Sequence, residues 1–181
     1  MATLDPALAP TTTLPAARRN LLLTVHVLVS VGVFGNDLVL LVLGASSVFG
    51  ADPRTVYPAA HLIAAVLVQP LALASLVTGV ALGLLTPWGL LKYWWTALKL
   101  AITTALTGVV VLVLVPGLGA AADVASKAPQ TFTAAERVPL VLAPALASTL
   151  LALNVALAIY KPRWRLRSAS DVARRTHTEY A

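Results

Sequence analysis

The stretch that decides the fold runs from Ala59 to Thr86, AAHLIAAVLVQPLALASLVTGVALGLLT, 28 residues without one charged side chain. About 20 consecutive apolar residues are enough for a helix to cross a hydrocarbon core about 30 Å thick. In lipid every backbone N–H and C=O must be satisfied internally, so only helices and closed barrels span it, and a run without strict alternation reads as a helix. Three other stretches share this character. One covers about Asn20–Ser47 with Asp37 as its only charge, one about Tyr93–Leu118 with Lys99 alone, and one about Val138–Tyr160 with none. The sequence therefore predicts an all-α protein, a four-helix transmembrane bundle.

Composition agrees. Of 181 residues, 59% are apolar and 11% charged, against about 45–50% and about 25% in a soluble domain. Too few charges remain to cover a water-facing surface. There is no cysteine, which removes disulfides, thiolate metal sites and lipidated cysteine, and the only methionine is Met1, which removes thioether copper ligation. No phosphate-binding glycine loop, zinc-protease helix or serine-nucleophile elbow occurs, so no enzyme activity is expected.

Charge fixes the expected topology. The net charge is +6. Arg18, Arg19 and Lys92, with Lys161, Arg163, Arg165, Arg167, Arg174 and Arg175, would be cytoplasmic if the N-terminus is inside. Arg54, Lys127 and Arg137 would then be outside. Nine against three favours N-in, C-in. Residues 1–19, rich in Pro and Thr, read as a disordered cytoplasmic arm, and they lack the basic segment of a signal peptide. Residues 20–160 form the membrane domain. Residues 161–181 form a basic cytoplasmic tail whose Arg163, Arg165 and Arg167 suit anionic lipid headgroups, not nucleic acid. Trp88, Tyr93, Trp94, Trp95, Tyr160 and Trp164 on the inner side, and Phe49 and Tyr57 on the outer, suit interfacial aromatic belts. Thr86-Pro87-Trp88-Gly89 predicts a tight inner hairpin, and about Gly119–Arg137 a long outer loop.

Helices in lipid associate through close packing and polar contacts. Ser75, Gly79 and Gly83 form a small-residue ridge. At 100° per residue His61, Ala65, Ala72 and Thr86 join it on one stripe, the predicted bundle face. Ala143 and Ala147 offer a similar pair. Pro70 and Pro144 each free a carbonyl one turn earlier, at Val66 and Leu140, and such kinks can line a cavity.

Ionisable groups inside a membrane need a reason. His26, Ser30, Val33, Asp37 and Gly44 share one face of the first span. By depth, His26, Lys99 and Asn154 form an inner polar level, with Thr96, Thr103 and Thr107 beside Lys99. Asp37 and His61 form an outer level, where an Asp–His pair is within reach given modest tilt. Lys99 also reads as snorkelling to inner headgroups and His26 as a helix-to-helix hydrogen-bonding residue. Asp37, the only acid in any span, reads either as a proton, cation or ligand contact or as a structural hydrogen bond. Gly32 and Gly35 beside it would let a neighbouring helix approach. His26 and His61 near opposite faces do not suit a shared haem, and Asp37 with His61 is too few ligands for a metal site, so no cofactor or metal is expected.

Three segments carry a family likeness: Leu23–Gly35 (LTVHVLVSVGVFG), Gln69–Gly79 (QPLALASLVTG) and Thr86–Leu100 (TPWGLLKYWWTALKL). Through them the chain resembles small four-helix integral membrane proteins of unknown function from GC-rich actinobacteria. That resemblance implies a plasma-membrane location and no known activity. A looser likeness to copper-resistance-type and cytochrome b-type bundles lacks their Met-rich or paired-His features.

The functional expectation is a non-enzymatic integral membrane protein of the plasma membrane, a structural or accessory partner of a membrane complex or a homo-oligomer. A small transporter or proton- or cation-conducting unit using Asp37 and His61 is the alternative, and a haem or quinone redox protein a weaker one. The topology is testable directly. Reporters fused after Ala181 and inserted near Ala125 should report cytoplasmic and extracytoplasmic sides respectively, and same-side signals would refute four crossings.

Overall fold

The computed structural model describes residues 15–85 and 94–160. Four helices dominate: α1 (Ala16–Val48), α2 (Pro53–Leu85), α3 (Trp94–Lys127) and α4 (Ala134–Tyr160), each long and apolar enough to cross a membrane. No strand occurs among the described residues. The fold is an all-α four-helix bundle and, by length and composition, that of a multi-pass membrane protein. The ends at residues 16, 85, 94 and 160 lie together and are called proximal here. The other four ends are distal.

Local chemistry sets the helix ends. Gly50, with φ +98°, takes the left-handed conformation just past α1, a conformation that favours glycine. The Asp52 carboxylate accepts the Arg54 N–H at 2.9 Å, with Pro53 in the first turn of α2, so both N-terminal preferences are met. A capping box opens α4: Glu136 Oε2 accepts the Thr133 N–H at 2.7 Å, and the Glu136 N–H points back to Thr133.

These ends lie beyond the apolar runs. Ala16–Arg19, expected in the arm, are helical. Helix α2 starts at Pro53 where about Ala59 was expected, because Asp52 and Pro53 are stronger start signals than hydrophobicity. Helix α3 continues past Leu118 to Lys127, so half of the expected long outer loop is helix. Residues 86–93 and 161–181 lie outside the described residues. With them go the inner hairpin at Thr86–Gly89, the aromatics Trp88, Tyr93 and Trp164, and the headgroup arginines Arg163, Arg165 and Arg167. Residues 1–14 of the arm also lie outside.

Pro70 and Pro116 each follow a widened π turn. Residues Ala64–Val68 precede Pro70, where the Gln69 N–H reaches the Ala64 carbonyl. Val110–Leu114 precede Pro116, where the Val115 N–H reaches the Val110 carbonyl. A proline ring crowds the carbonyl one α-turn below it, and a widened turn is one recognised way for a helix to absorb the disturbance. The helix therefore runs on through Pro116 and Gly117, which in sequence look like breakers.

Helix α1 packs against both α2 and α4, α2 packs against α3, and the seam between α3 and α4 is the sparsest. The buried apolar core is distal, built from Leu40, Val56, Tyr57, Ala60, Ala64, Val68, Leu118, Ala125 and Leu140. A lid covers it. The Tyr57 and Phe132 rings stack at 4.3 Å between centroids. Arg137 donates to the Ser47 carbonyl at 2.6 Å and, through Nε, to the Phe132 carbonyl at 3.3 Å. Tyr57 is therefore not a belt residue: it is 3% exposed, because Phe132 folds over it. Phe49 and Tyr160 are exposed as expected.

The tightest approach joins α1 to α4. A Cβ built on Gly44 would land on the Leu140 carbonyl, whereas one on Gly35 meets nothing within 4 Å. Gly35 therefore does not serve as the approach point expected of it, while Gly32 faces Leu71. Gly44→Ala should destabilise the bundle in detergent by about 1–3 kcal/mol through backbone overpacking. Gly35→Ala should be neutral or stabilise by up to about 1 kcal/mol, the helix-propensity gain. Thermal unfolding of both variants checks this, and equal shifts would remove Gly44 from its role.

Candidate functional site

The inward face of α1 carries the polar residues, as the shared stripe of His26, Ser30, Val33, Asp37 and Gly44 predicts. Val33, Asp37 and Gly44 are buried. Each polar member meets one partner on another helix. His26 Nδ1 lies 2.9 Å from Thr78 Oγ1. The Thr78 hydroxyl also donates to the Ala74 carbonyl at 2.7 Å, so Nδ1 donates to Thr78 in the tautomer that carries its proton there. Ser30 and Ser75 share a hydrogen bond of 2.8 Å. The Ser148 hydroxyl donates to Asp37 Oδ2 at 2.5 Å. Between α4 and α3, Asn154 Nδ2 donates to Thr103 Oγ1 at 3.0 Å.

The two in-span histidines are both seated against glycines. A Cβ at Gly79 would lie 3.1 Å from the His26 ring, and one at Gly119 3.2 Å from the His61 ring. The ridge residue Gly79 thus makes room for an imidazole and not for a helix backbone. Ser75 is buried and bonded, and Gly83 is half-buried. The expected Asp37–His61 pair is not formed. Asp37 meets α4 and His61 meets α3, and no hydrogen bond or ion pair joins them. The three-turn offset within α1 does bring His26 to the proximal half, with Lys99 near enough to act on it electrostatically. Among the described residues no three His, Asp or Glu side chains gather as metal ligands.

Between the helices lies a cavity of about 630 Å³. His26, Lys99, Thr103 and Asn154 line its proximal part, Asp37 lies further along, and Leu40, Leu118 and Leu140 close its distal end. The rest of the wall is mainly Val, Leu and Ala. Pro144 lines it as the kink argument allows, while Pro70 is exposed on the outside. Ala143 and Ala147, read as a packing pair, instead form part of the cavity wall. Val155 and Ile159 of α4 both line the cavity and are exposed, as are Val27 and Val31 of α1. The opening therefore flanks α4 on the lateral surface of the bundle.

At the proximal end the protein leaves polar capacity unused. The Asn154 carbonyl oxygen, Thr96 Oγ1 and Trp94 Nε1 are buried with no hydrogen-bond partner, and distally only Ser47 Oγ is in that state among the described residues. A buried polar atom without a partner costs about 1–3 kcal/mol. Sequence reasoning missed Ser148 and Thr78, because each is a single hydroxyl in a run of apolar residues and only the fold shows what it faces. It also missed the cavity, which has no sequence signature.

Compared with known proteins, the chain matches no family model, no curated protein and no solved structure.

A double-mutant cycle checks the pairing at Asp37. The Asp37→Ala and Ser148→Ala changes should couple by about 0.6–1.7 kcal/mol, the range for hydrogen bonds between membrane helices. Asp37→Ala and His61→Ala should be additive. Unfolding in detergent reads both, and coupling to His61 in place of Ser148 would overturn the assignment.

Proposed function

We propose that this chain is a non-enzymatic, multi-pass protein of the plasma membrane, both termini cytoplasmic, that acts as an accessory binding protein. It holds an amphipathic molecule, taken from the bilayer, in the cavity among its helices. The observation that carries this reading is the cavity itself. Its 630 Å³ falls within the range of about 300–1,000 Å³ typical of small-molecule sites. Like those sites, it has a mainly apolar wall with a few polar groups. The lateral opening beside α4 suits a ligand that arrives through lipid. The basic bias of the N-terminal, Lys92 and tail segments supports the orientation. The separate placements of Asp37 and His61 give no support to a proton or cation path through that pair.

Native mass spectrometry of the protein released from a non-ionic detergent tests the reading. The wild-type chain should carry one small amphiphile in near-stoichiometric amount. Ala147→Trp, which fills the cavity wall, should lose it while helicity by circular dichroism is unchanged. If wild type and variant carry the same broad mixture of lipids, the cavity is not a binding site.

A further inference from the structure

We propose that the occupant is a neutral single-chain amphiphile headed by a hydroxyl group, a long-chain alcohol, whose hydroxyl donates to the Asn154 carbonyl oxygen at the proximal end of the cavity. Its chain runs toward Leu40 and Leu140. This inference rests on the binding reading above and specifies its ligand.

The head group follows from what Asn154 lacks. Its Nδ2 donates to Thr103 Oγ1 at 3.0 Å, which turns the NH2 end of the amide toward α3 and leaves the carbonyl end. That oxygen is buried with no partner, on a side chain that is 8% exposed and lines the cavity. A carbonyl oxygen kept from water goes without a hydrogen bond until a donor is brought to it. His26, on the same part of the wall, adds a second acceptor. In the tautomer that donates from Nδ1 to Thr78, its Nε2 carries a lone pair and no proton.

The same two groups argue against a charged head. A carboxylate brings only acceptors to an acceptor, and a quaternary ammonium has no N–H to give. A primary ammonium donates, but a charge in an apolar wall needs an opposite charge beside it. The one acid on the wall, Asp37, accepts from Ser148, and Ser148 is six residues from Asn154, about 9 Å along α4. A hydroxyl donates without carrying charge. A purely hydrocarbon ligand would leave the Asn154 oxygen as it stands.

The dimensions fit one chain. His26 to Leu40 and Asn154 to Leu140 are each fourteen residues, about 21 Å of helix, and aliphatic side chains close the distal end. A volume of 630 Å³ over that length gives a mean cross-section of about 30 Å², using the same helical rise. That holds one alkyl chain and not two side by side. The exposed rim at Val155 and Ile159 places the opening beside Asn154, so the head need not cross the apolar half to enter.

The test uses the full chain in nanodiscs of phosphatidylcholine, a lipid whose head group has no hydrogen-bond donor. Four probes share one chain length: a primary alcohol, its methyl ether, a carboxylate and a trimethylammonium. Each competes with the radiolabelled alcohol at equal mole fraction in the disc, and discs without protein set the background. The alcohol should bind about fivefold or more tightly than the ether, the gain from meeting a buried acceptor. The carboxylate and the ammonium should not compete. Asn154→Leu should bring the alcohol to the affinity of the ether, and Ala147→Trp should abolish binding of both. The wild-type ranking decides the matter even if Asn154→Leu does not fold. If alcohol and ether bind alike, or a charged probe binds best, the head-group assignment is wrong while the cavity remains a binding site. If no probe binds, the head-group assignment falls, and if the purified chain also carries no amphiphile, the binding reading falls with it.

Discussion

Gly44 brings the backbone of α1 against the backbone of α4 at Leu140, and much of the remaining architecture follows from that contact. In lipid there is no hydrophobic gain from pressing one leucine-covered helix on another, so close backbone approach must come from the absence of a side chain. Distal to this point Arg137 ties the end of α1 to the start of α4, and Phe132 covers Tyr57. Proximal to it Ser148 donates to Asp37 across the same pair of helices, and the cavity lies in that half.

The polar side chains complete the same logic. His26 with Thr78, Ser30 with Ser75, and Asp37 with Ser148 give α1 one side-chain bond per turn or two. The first two go to α2 and the third to α4. Each pair joins helices that already touch, so the bonds fix rotation about the helix axis more than they supply cohesion. Asn154 and Thr103 bridge the sparsest seam, where little else connects α3 to α4. The proximal half is thus held by sparse polar contacts, and the distal half by a packed core and a lid.

The number of helices, their approximate centres and the inward face of α1 were legible in the sequence, because the apolar runs are long and the charges few. The ends were not, because Asp52, Pro53 and the Thr133–Glu136 box extend helices into polar segments. The stripe on α2 was legible only in part. A uniform 100° step places Ala65 with His61 and Ala72, but Val56, Ala60, Ala64, Val68 and Ala72 are among the buried residues and Ala65 is not, a spacing of four through the widened turn. Of the candidate site, His26, Asp37, Lys99 and Asn154 stood out as polar residues in apolar spans. Their partners did not, because which hydroxyl faces which helix depends on the rotation of each helix in the bundle. His61 was grouped with Asp37 by depth alone, and depth does not say which neighbour a side chain faces.

The π turns before Pro70 and Pro116 bear on how this chain tolerates changes of length. A π turn accommodates one residue more than the α-turn it interrupts, while the helix on either side stays in phase. Loss of one residue within 64–68 would close the turn to a plain α-helix. Ser75, Thr78 and Gly79 would still face α1 below it, and Tyr57 and Ala60 would still face α3 above it. The same loss a few residues away, in a regular stretch of α2, would rotate one half against the other by about 100°. That would carry either the His26 contacts or the distal core off their partners. Single-residue deletions in the two central helices should therefore be tolerated at these two turns and selected against elsewhere.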